Sequence, residues 1–150
     1  MITLQQVNKA VCDLFQQALA TAAPPSARLS AEDVSGPIIR PSGKVALDEG
    51  ADARLLASGR ERSATFRLYY YASDKDRPKL ENLAMRSAIG EAFSDGLMVG
   101  GVYIGIDDGV SFTVTDGILV ATLDLTWAEP IPEEDAELME NLNYETEVKI

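Results

Sequence analysis

The sequence predicts an α+β fold: a mixed, mainly antiparallel sheet with two main helices packed on it, followed by a short C-terminal helix or an extended tail. Two segments repeat apolar residues at three- and four-residue spacing, as helices do, and several others alternate apolar with polar residues, as half-buried strands do. A chain of 150 residues, 46% of them hydrophobic, can bury about 68–70% of its unfolded surface, which is enough for a full core. We therefore expect a single domain over residues 1–128 and an acidic C-terminal arm over residues 129–150.

The first helix is predicted near the N-terminus. Thr3 and Gln6 form a capping-box pattern, and apolar residues recur at helical spacing over residues 4–18. The Pro-Pro pair at residues 24–25 cannot continue a helix, because proline lacks the N–H donor and its ring clashes with the preceding turn. The helix is therefore expected to end at residue 22 or 23.

Strands are predicted in the segment that follows. Two short extended pieces, residues 28–32 and 44–47, are separated by turn-forming residues. Residues 48–59 are polar and contain glycine, and a clean alternation of apolar residues follows over residues 64–71. We interpret this pattern as a long hairpin with a protruding loop.

The alternating segment has two faces. Tyr69 and Tyr71 lie on the face opposite to the apolar one. Outward tyrosines are either ordinary strand residues or anchors of a subunit contact. The face expected to enter the core carries Ala64, Phe66, Leu68 and Tyr70.

A second helix is predicted over residues 77–95. Asp76-Arg77-Pro78 is a typical helix start, and Ser94-Asp95-Gly96 is a typical stop. At about 100° per residue, Leu80 and Leu83 point away from the main apolar stripe. Either the helix packs two surfaces or these leucines meet another chain. The main stripe consists of Met85, Ala88, Ile89 and Ala92.

The C-terminal half is predicted to be rich in strands, over residues 97–106, 110–115 and 118–127. Asp116-Gly117 is a two-residue loop of the kind favoured in type I′ turns. Pairing Thr115 with Ile118 sets apolar residues opposite each other, so the turn and the pattern agree. The resulting pairs are Val114 with Leu119, Phe112 with Ala121, and Val110 with Leu123.

Acidic charge is concentrated at the C-terminal end. Residues 129–150 hold eight acidic side chains against Lys149 alone, so this segment carries −7 of the net charge of −11. Leu138, Met139 and Leu142 form a short amphipathic pattern within it, and a helix of about ten residues is marginal alone in water. The segment is either a solvated acidic tail or an arm that docks on a neighbouring subunit.

The composition argues against most catalytic chemistry. Without histidine the chain has no histidine base, no Ser-His-Asp or Cys-His arrangement and no zinc site of the usual nitrogen-bearing kinds. Asp107 and Asp108, followed by Gly109, could form a carboxylate–metal pair but are more typical of a hairpin turn. Cys12 is interpreted as a small, half-buried apolar residue. We predict a protein that is not an enzyme and has no cofactor and no bound metal.

Charge and cysteine content also limit the partners and the compartment. A net charge of −11 repels phosphate backbones and anionic lipids, so we expect no tight binding to nucleic acids or to membranes. A single cysteine fits a reducing compartment. The first residues lack the basic start and apolar run of a signal peptide, so we expect no export by the standard route.

Four blocks of the sequence carry a family resemblance. They are Met1-Ile2-Thr3-Leu4 with Val7-Asn8-Lys9-Ala10, Ser30-Ala31-Glu32-Asp33-Val34 leading to Arg40-Pro41-Ser42, Thr65-Phe66-Arg67-Leu68-Tyr69-Tyr70, and Leu138-Met139-Glu140-Asn141-Leu142. In this order and spacing the chain resembles the phage tail terminator family of Firmicutes phages and prophages. It departs from the family at Gly43 and Lys44, where bulky apolar residues usually follow the Arg-Pro-Ser block.

The resemblance implies a small subunit that assembles as a ring, a homo-hexamer, on the head-proximal end of the tail tube. There it would stop tube polymerisation and join the tail to the neck or head connector. The implied partners are further copies of the chain, the tail tube protein, the connector, and a sheath protein if the tail contracts, with DNA only passing through the channel. The implied location is the virion tail, reached from the bacterial host cytoplasm during assembly. The candidate interface residues are Arg40, Pro41, Tyr69, Tyr71, Leu80, Leu83, Leu138, Met139 and Leu142.

Other functions stay open at this point. The nearest alternative is a head–tail connector or stopper protein. Two others are a carboxylate–metal hydrolase centred on Asp107 and Asp108 and a monomeric binding module that uses the face of Tyr69 and Tyr71. An infectious phage and a headless tail-like bacteriocin are equally compatible with the resemblance.

Overall fold

The computed structural model describes residues 2–30, 37–55 and 59–130. Within these ranges the chain forms two helices and a six-stranded sheet, which confirms the predicted α+β class. The helices are α1 (Leu4–Ala22) and α2 (Lys79–Ala92). The strands are β1 (Arg28–Leu29), β2 (Ser42–Leu55), β3 (Gly59–Tyr71), β4 (Leu97–Val99), β5 (Val102–Thr115) and β6 (Ile118–Pro130).

Helix α1 begins and ends where the sequence predicts. The Gln6 N–H donates to the Thr3 hydroxyl at 3.1 Å and the Thr3 N–H donates to Gln6 Oε1 at 2.7 Å, which completes the capping box. The helix ends at Ala22, and Ala23 is extended because the proline that follows disfavours helical geometry there. The face that packs on the sheet is buried and consists of Val7, Val11, Phe15, Ala18 and Leu19.

The sheet has the strand order β1-β2-β3-β6-β5-β4. Strand β1 pairs with β2 in parallel, and all other neighbouring strands in the described ranges are antiparallel, so the sheet is mixed and mainly antiparallel as predicted. Along β3 and β6, buried residues alternate with partly exposed ones, because one face of the sheet packs on the helices. The buried apolar residues of β3 are the predicted Ala64, Phe66, Leu68 and Tyr70.

The β2–β3 hairpin is longer than predicted and its loop is shorter. Strand β2 continues to Leu55, so residues 48–55, which were expected in a protruding loop, extend the sheet instead. Residues 56–58 lie outside the described ranges. The extended piece predicted over residues 28–32 is reduced to the two residues of β1, and residues 31–36 also lie outside the described ranges.

Helix α2 is shorter than the predicted span of residues 77–95. Pro78 lies just before its first residue, and Phe93 ends it. Gly96 follows with a φ of 73°, the left-handed conformation that favours glycine. The buried stripe includes the predicted Met85, Ala88 and Ile89 together with Asn82, and Ala92 is partly buried.

The prediction of one continuous strand over residues 97–106 is wrong. A turn at Gly100 and Gly101 separates β4 from β5. Both glycines have positive φ angles, 54° and 82°, which residues with a side chain adopt only at a cost in free energy. The short strand β4 therefore forms the edge of the sheet.

The Asp-Asp-Gly segment at residues 107–109 is not the hairpin turn that the sequence predicts. It forms a bulge inside the continuous strand β5, with positive φ angles of 57° at Asp108 and 72° at Gly109. The bulge shifts the register, so the predicted pairing of Val110 with Leu123 is not part of the ladder. The rest of the predicted β5–β6 register is confirmed: Thr115 with Ile118, Val114 with Leu119, and Phe112 with Ala121.

The core explains the departure from the family pattern at Gly43. A Cβ atom at this position would lie 2.9 Å from Cε2 and Cζ of Phe15 and 3.3 Å from Cδ1 of Leu19. Helix α1 thus lies so close to β2 that a side chain does not fit without displacing the Phe15 ring. Lys44 pairs with Tyr69 on the opposite face of the sheet, where a charged head group can reach water.

Candidate interaction surfaces

The surface of α2 that faces away from the core carries two exposed leucines. Leu80 is 79% exposed and Leu83 is 49% exposed. As predicted, both lie off the buried stripe of the helix. Exposed apolar surface of this kind marks contact sites with other proteins when several such residues lie together.

Leu83 also lines a groove between α2 and the edge of the sheet. The groove has a volume of about 340 Å³, and its apolar lining includes Pro78, Phe112, Val114 and Leu119. Val114 is 58% exposed although the register places it on the same face as the buried Leu119. Sequence reasoning assigns Val114 to the core, because periodicity shows which face a residue occupies but not how far a helix covers that face.

A hydrogen-bonded carboxylate fixes the first turn of α2 to β3. Glu81 accepts hydrogen bonds from the Tyr70 hydroxyl at 2.7 Å, the Ser73 N–H at 2.7 Å and the Ser73 hydroxyl at 2.6 Å. Burial opposes the charge on Glu81, but these hydrogen bonds outweigh burial and lower its pKa. Burial, together with the bond to Glu81, raises the pKa of Tyr70. The two exposed leucines are therefore presented by a firmly held helix.

A second contact holds the same helix to the β5–β6 turn. The Asn82 side-chain amide donates to the Gly117 carbonyl oxygen at 3.0 Å. Asn82 is only 5% exposed and also lines the groove. Its Oδ1 atom has no hydrogen-bond partner within the described residues, which leaves one acceptor at the groove wall unsatisfied.

The outer face of the sheet carries the predicted tyrosines. Tyr69 and Tyr71 are half-buried there, two residues apart on β3. The Arg40 guanidinium lies 5.9 Å from the centre of the Tyr71 ring and donates to the Ala72 carbonyl oxygen at 3.0 Å. Pro41 is buried and so is not placed to meet a partner, whereas Arg40 and Tyr71 are partly exposed.

Two further apolar pairs are exposed, and neither is among the residues predicted to contact a partner. Met98 and Tyr103 are paired across β4 and β5 and are 68% and 60% exposed. Ile38 and Ile39, before β2, are 50% and 73% exposed. The alternation of Met98 with its buried neighbours on β4 is the sequence signal that could have identified the first pair.

The predicted anchors of the acidic arm, Leu138, Met139 and Leu142, lie outside the described residues, as does all of the segment 131–150. Glu129, the first acidic residue of the predicted arm, is in contrast part of β6 and only 2% exposed. The described chain therefore stays in the sheet up to Pro130.

Glu129 belongs to a buried polar cluster that links the N-terminus to the last strand. Its carboxylate accepts from the Ile2 N–H at 3.1 Å and from Trp127 Nε1 at 2.7 Å, and it lies 3.5 Å from the Arg62 guanidinium. Arg62 also donates to the Ile2 carbonyl oxygen at 2.8 Å and to Asp52 Oδ1 at 3.0 Å. Each charged group of the cluster is thus paired, which offsets the cost in free energy of burying a charge.

Of the two carboxylates predicted as a possible metal pair, Asp107 makes a different contact. Asp107 Oδ2 accepts from the Thr126 hydroxyl at 2.5 Å, and Asp108 is exposed in the bulge. In the part of the chain that the structure describes, no group of three or more His, Cys, Asp or Glu residues is placed to hold a metal ion. Neither helix there is long and apolar enough to cross a membrane.

The fold and these surfaces define a small α+β protein whose candidate functional features are surfaces for contact with other chains. The sequence pattern of a family described as phage tail terminator protein matches residues 10–137. Because the match covers most of the chain, this protein belongs to the phage tail terminator family. It is a virion structural protein of the tail, with a role in tail completion and contacts to other virion proteins.

Comparison with solved structures and curated sequences gives two further results. The chain is similar to a chain described under "Virion of native gene transfer agent (GTA) particle", with 13% sequence identity and a TM-score of 0.49. The similarity covers 85% of this chain and 97% of that chain. No curated protein sequence matches this chain. The predicted origin in Firmicutes phages stays a prediction.

Proposed function

We propose that this protein forms a closed hexameric ring on the head-proximal end of the tail tube. The ring stops polymerisation of the tube and joins the tail to the neck or head connector protein. Family membership supports a role at the end of the tail. The observation that carries self-association is the exposure of Leu80 and Leu83 on a helix that the core holds in place.

The position of these leucines suits a ring. A cyclic assembly with more than two subunits needs two different surfaces on each subunit, one meeting the other on the next copy. The groove beside α2 is one such surface, and it lies at one edge of the sheet. The outer face with Tyr69 and Tyr71 is available for the tube or the connector.

The remaining partners follow from the same role. A sheath protein would contact the ring if the tail contracts, and DNA would only pass through the channel. The net charge of −11 suits that passage, because an acidic wall repels the phosphate backbone. Assembly would take place in the bacterial host cytoplasm, without a cofactor and without catalysis.

The experiment measures assembly of the full chain by light scattering coupled to size-exclusion chromatography and by negative-stain electron microscopy. Leu80→Glu should raise the concentration needed for ring formation by about tenfold or more, since it places a charge in the apolar contact. Leu80→Met is the matched control and should assemble like the wild type. Both variants should keep the thermal stability of a single subunit within about 0.5 kcal/mol, because Leu80 is exposed.

Binding to purified tail tubes gives the second measurement. The wild-type ring should cap one end of each tube and stop further addition of tube protein. A chain that stays monomeric at every concentration and leaves tube growth unchanged contradicts the proposal. Binding to the portal side alone would assign the protein to the head–tail connectors instead.

A further inference from the structure

The residues that line the groove between α2 and the sheet edge limit the kind of segment that can bind there. Leu83, Phe112 and Val114 give it an apolar lining that is open to solvent. Lys79 and Arg86 also line it, and of the described residues that form the groove none is acidic. An apolar segment that carries carboxylates matches this combination.

The basic residues are available to a bound segment. Lys79 is exposed and makes no ion pair with any residue of the described ranges. The Arg86 guanidinium lies 5.1 Å from the centre of the Phe112 ring, so its charge sits above the apolar lining.

We propose that the groove binds the C-terminal segment 131–150 of a neighbouring copy of this chain. Leu138, Met139 and Leu142 are its apolar anchors, at a spacing that places them on one face of a helix. This segment holds seven acidic residues against Lys149 alone, which complements Lys79 and Arg86. The inference rests on the self-association proposed above and names the contact that produces it.

Chain length favours docking of the segment on a neighbouring copy over docking into the groove of its own subunit. Strand β6 runs from the groove at Leu119 to Pro130, eleven residues later, which is about 36 Å at about 3.3 Å per residue. The eight residues from Pro130 to Leu138 span at most about 29 Å when fully extended. A helix that contains Leu138 and Leu142 would need a straight, fully extended linker to approach the groove of its own chain, so the contact between subunits is favoured. One segment and one groove per subunit then close head to tail into a ring.

The test uses two full-length variants, each of which removes one half of the contact. Leu83→Asp places a charge in the groove, and L138D/L142D does so at the anchors of the segment. Each variant alone should be monomeric at concentrations where the wild type forms rings. An equimolar mixture should form dimers, because one intact groove then meets one intact segment. Leu83→Met is the matched control and should assemble like the wild type.

Direct binding gives an independent measurement. A synthetic peptide of residues 131–150 should bind to the full-length L138D/L142D variant, whose groove is empty. Leu83→Asp, added to that variant, should weaken peptide binding about tenfold or more. Circular dichroism of each variant checks that the fold is retained.

The results separate the two proposals. Normal rings from L138D/L142D, a mixture that stays monomeric, or peptide binding unaffected by Leu83→Asp would overturn the groove assignment and leave the ring standing. A wild-type chain that never associates would overturn the ring itself.

Discussion

Replacing Glu129 tests whether the buried polar cluster holds the two ends of the described chain together. The Glu129 side chain is fully buried. It accepts hydrogen bonds from Ile2 and Trp127 and forms an ion pair with Arg62. Glu129→Gln keeps the shape but removes the negative charge. Hydrogen bonds to a charged group contribute about 1.5–3 kcal/mol, so we expect Glu129→Gln to lower the free energy of unfolding by about 2–3 kcal/mol.

Glu129→Ala should be more destabilising. It leaves Arg62 buried with Asp52 as its remaining carboxylate partner, and breaking a buried ion pair costs about 3–5 kcal/mol. Because Asp52 still compensates part of the charge, we expect a loss of about 3–4 kcal/mol. The Ile2 N–H would also lose its acceptor, which loosens the start of α1.

Urea unfolding measures the free energy of unfolding of both variants. Trp127 is the only tryptophan of the chain, so its fluorescence reports on the cluster, while circular dichroism follows the whole fold. Two protein concentrations should be compared, because assembly adds stability that depends on concentration. Glu61→Gln is the control: Glu61 is exposed on the neighbouring strand, and its loss should change stability by less than about 0.5 kcal/mol. Equal effects of Glu129→Gln and Glu61→Gln would refute the reasoning.

Three further substitutions test the anchoring of α2 and the packing of the helices. Glu81 has a lowered pKa, so the stability it contributes is fully present above its ordinary value of 4.5 and is lost as the pH falls below it. Glu81→Gln should therefore flatten the loss of stability between about pH 5 and about pH 3 in urea unfolding, and parallel pH profiles would contradict this. Gly43→Ala should destabilise the fold by about 1–3 kcal/mol, because the new Cβ would contact the Phe15 ring. Calorimetry measures this loss of stability. Gly90 lies in α2 with open space around it, so Gly90→Ala should instead raise the free energy of unfolding by about 0.5–1 kcal/mol. A lower free energy of unfolding in this variant would contradict the open space around Gly90.

The parts of the fold that depend on short stretches of chain could be predicted. The capping box of Thr3 and Gln6, the proline stop of α1 and the turn at Asp116 and Gly117 each depend on residues a few positions apart. The alternation along β3 has the same local origin, since successive side chains of a strand point to opposite faces.

The errors come from choices that only distant partners decide. Two glycine-containing segments interrupt residues 97–115, and either could reverse the chain. Pairing with β6 continues on both sides of the bulge at Asp108 and Gly109, so this segment stays in the sheet, while the chain reverses at Gly100 and Gly101. Glu129 shows the same limit: it is in phase with the buried residues of β6, but only its contacts with the distant Ile2 and Arg62 account for a carboxylate on the core face.

The candidate surfaces were predictable to a similar extent. Helical periodicity identifies Leu80 and Leu83 as residues that the core does not use. The groove beside them depends on where α2 ends relative to the sheet, which leaves Val114 exposed. That geometry is tertiary, and no pattern along the chain contains it.

The bulge in β5 has a consequence for the subunit before it joins a particle. In the described ranges, β4 covers β5 only as far as Ile104, so the rest of that strand has free hydrogen-bonding groups along its outer side. A long, regular free edge invites pairing with any other exposed strand and leads to fibres or precipitates. Asp108 and Gly109 interrupt the edge in its middle and place a charged side chain there. A bulge with a charged side chain is a device that protects a free strand edge from pairing with strands of other chains.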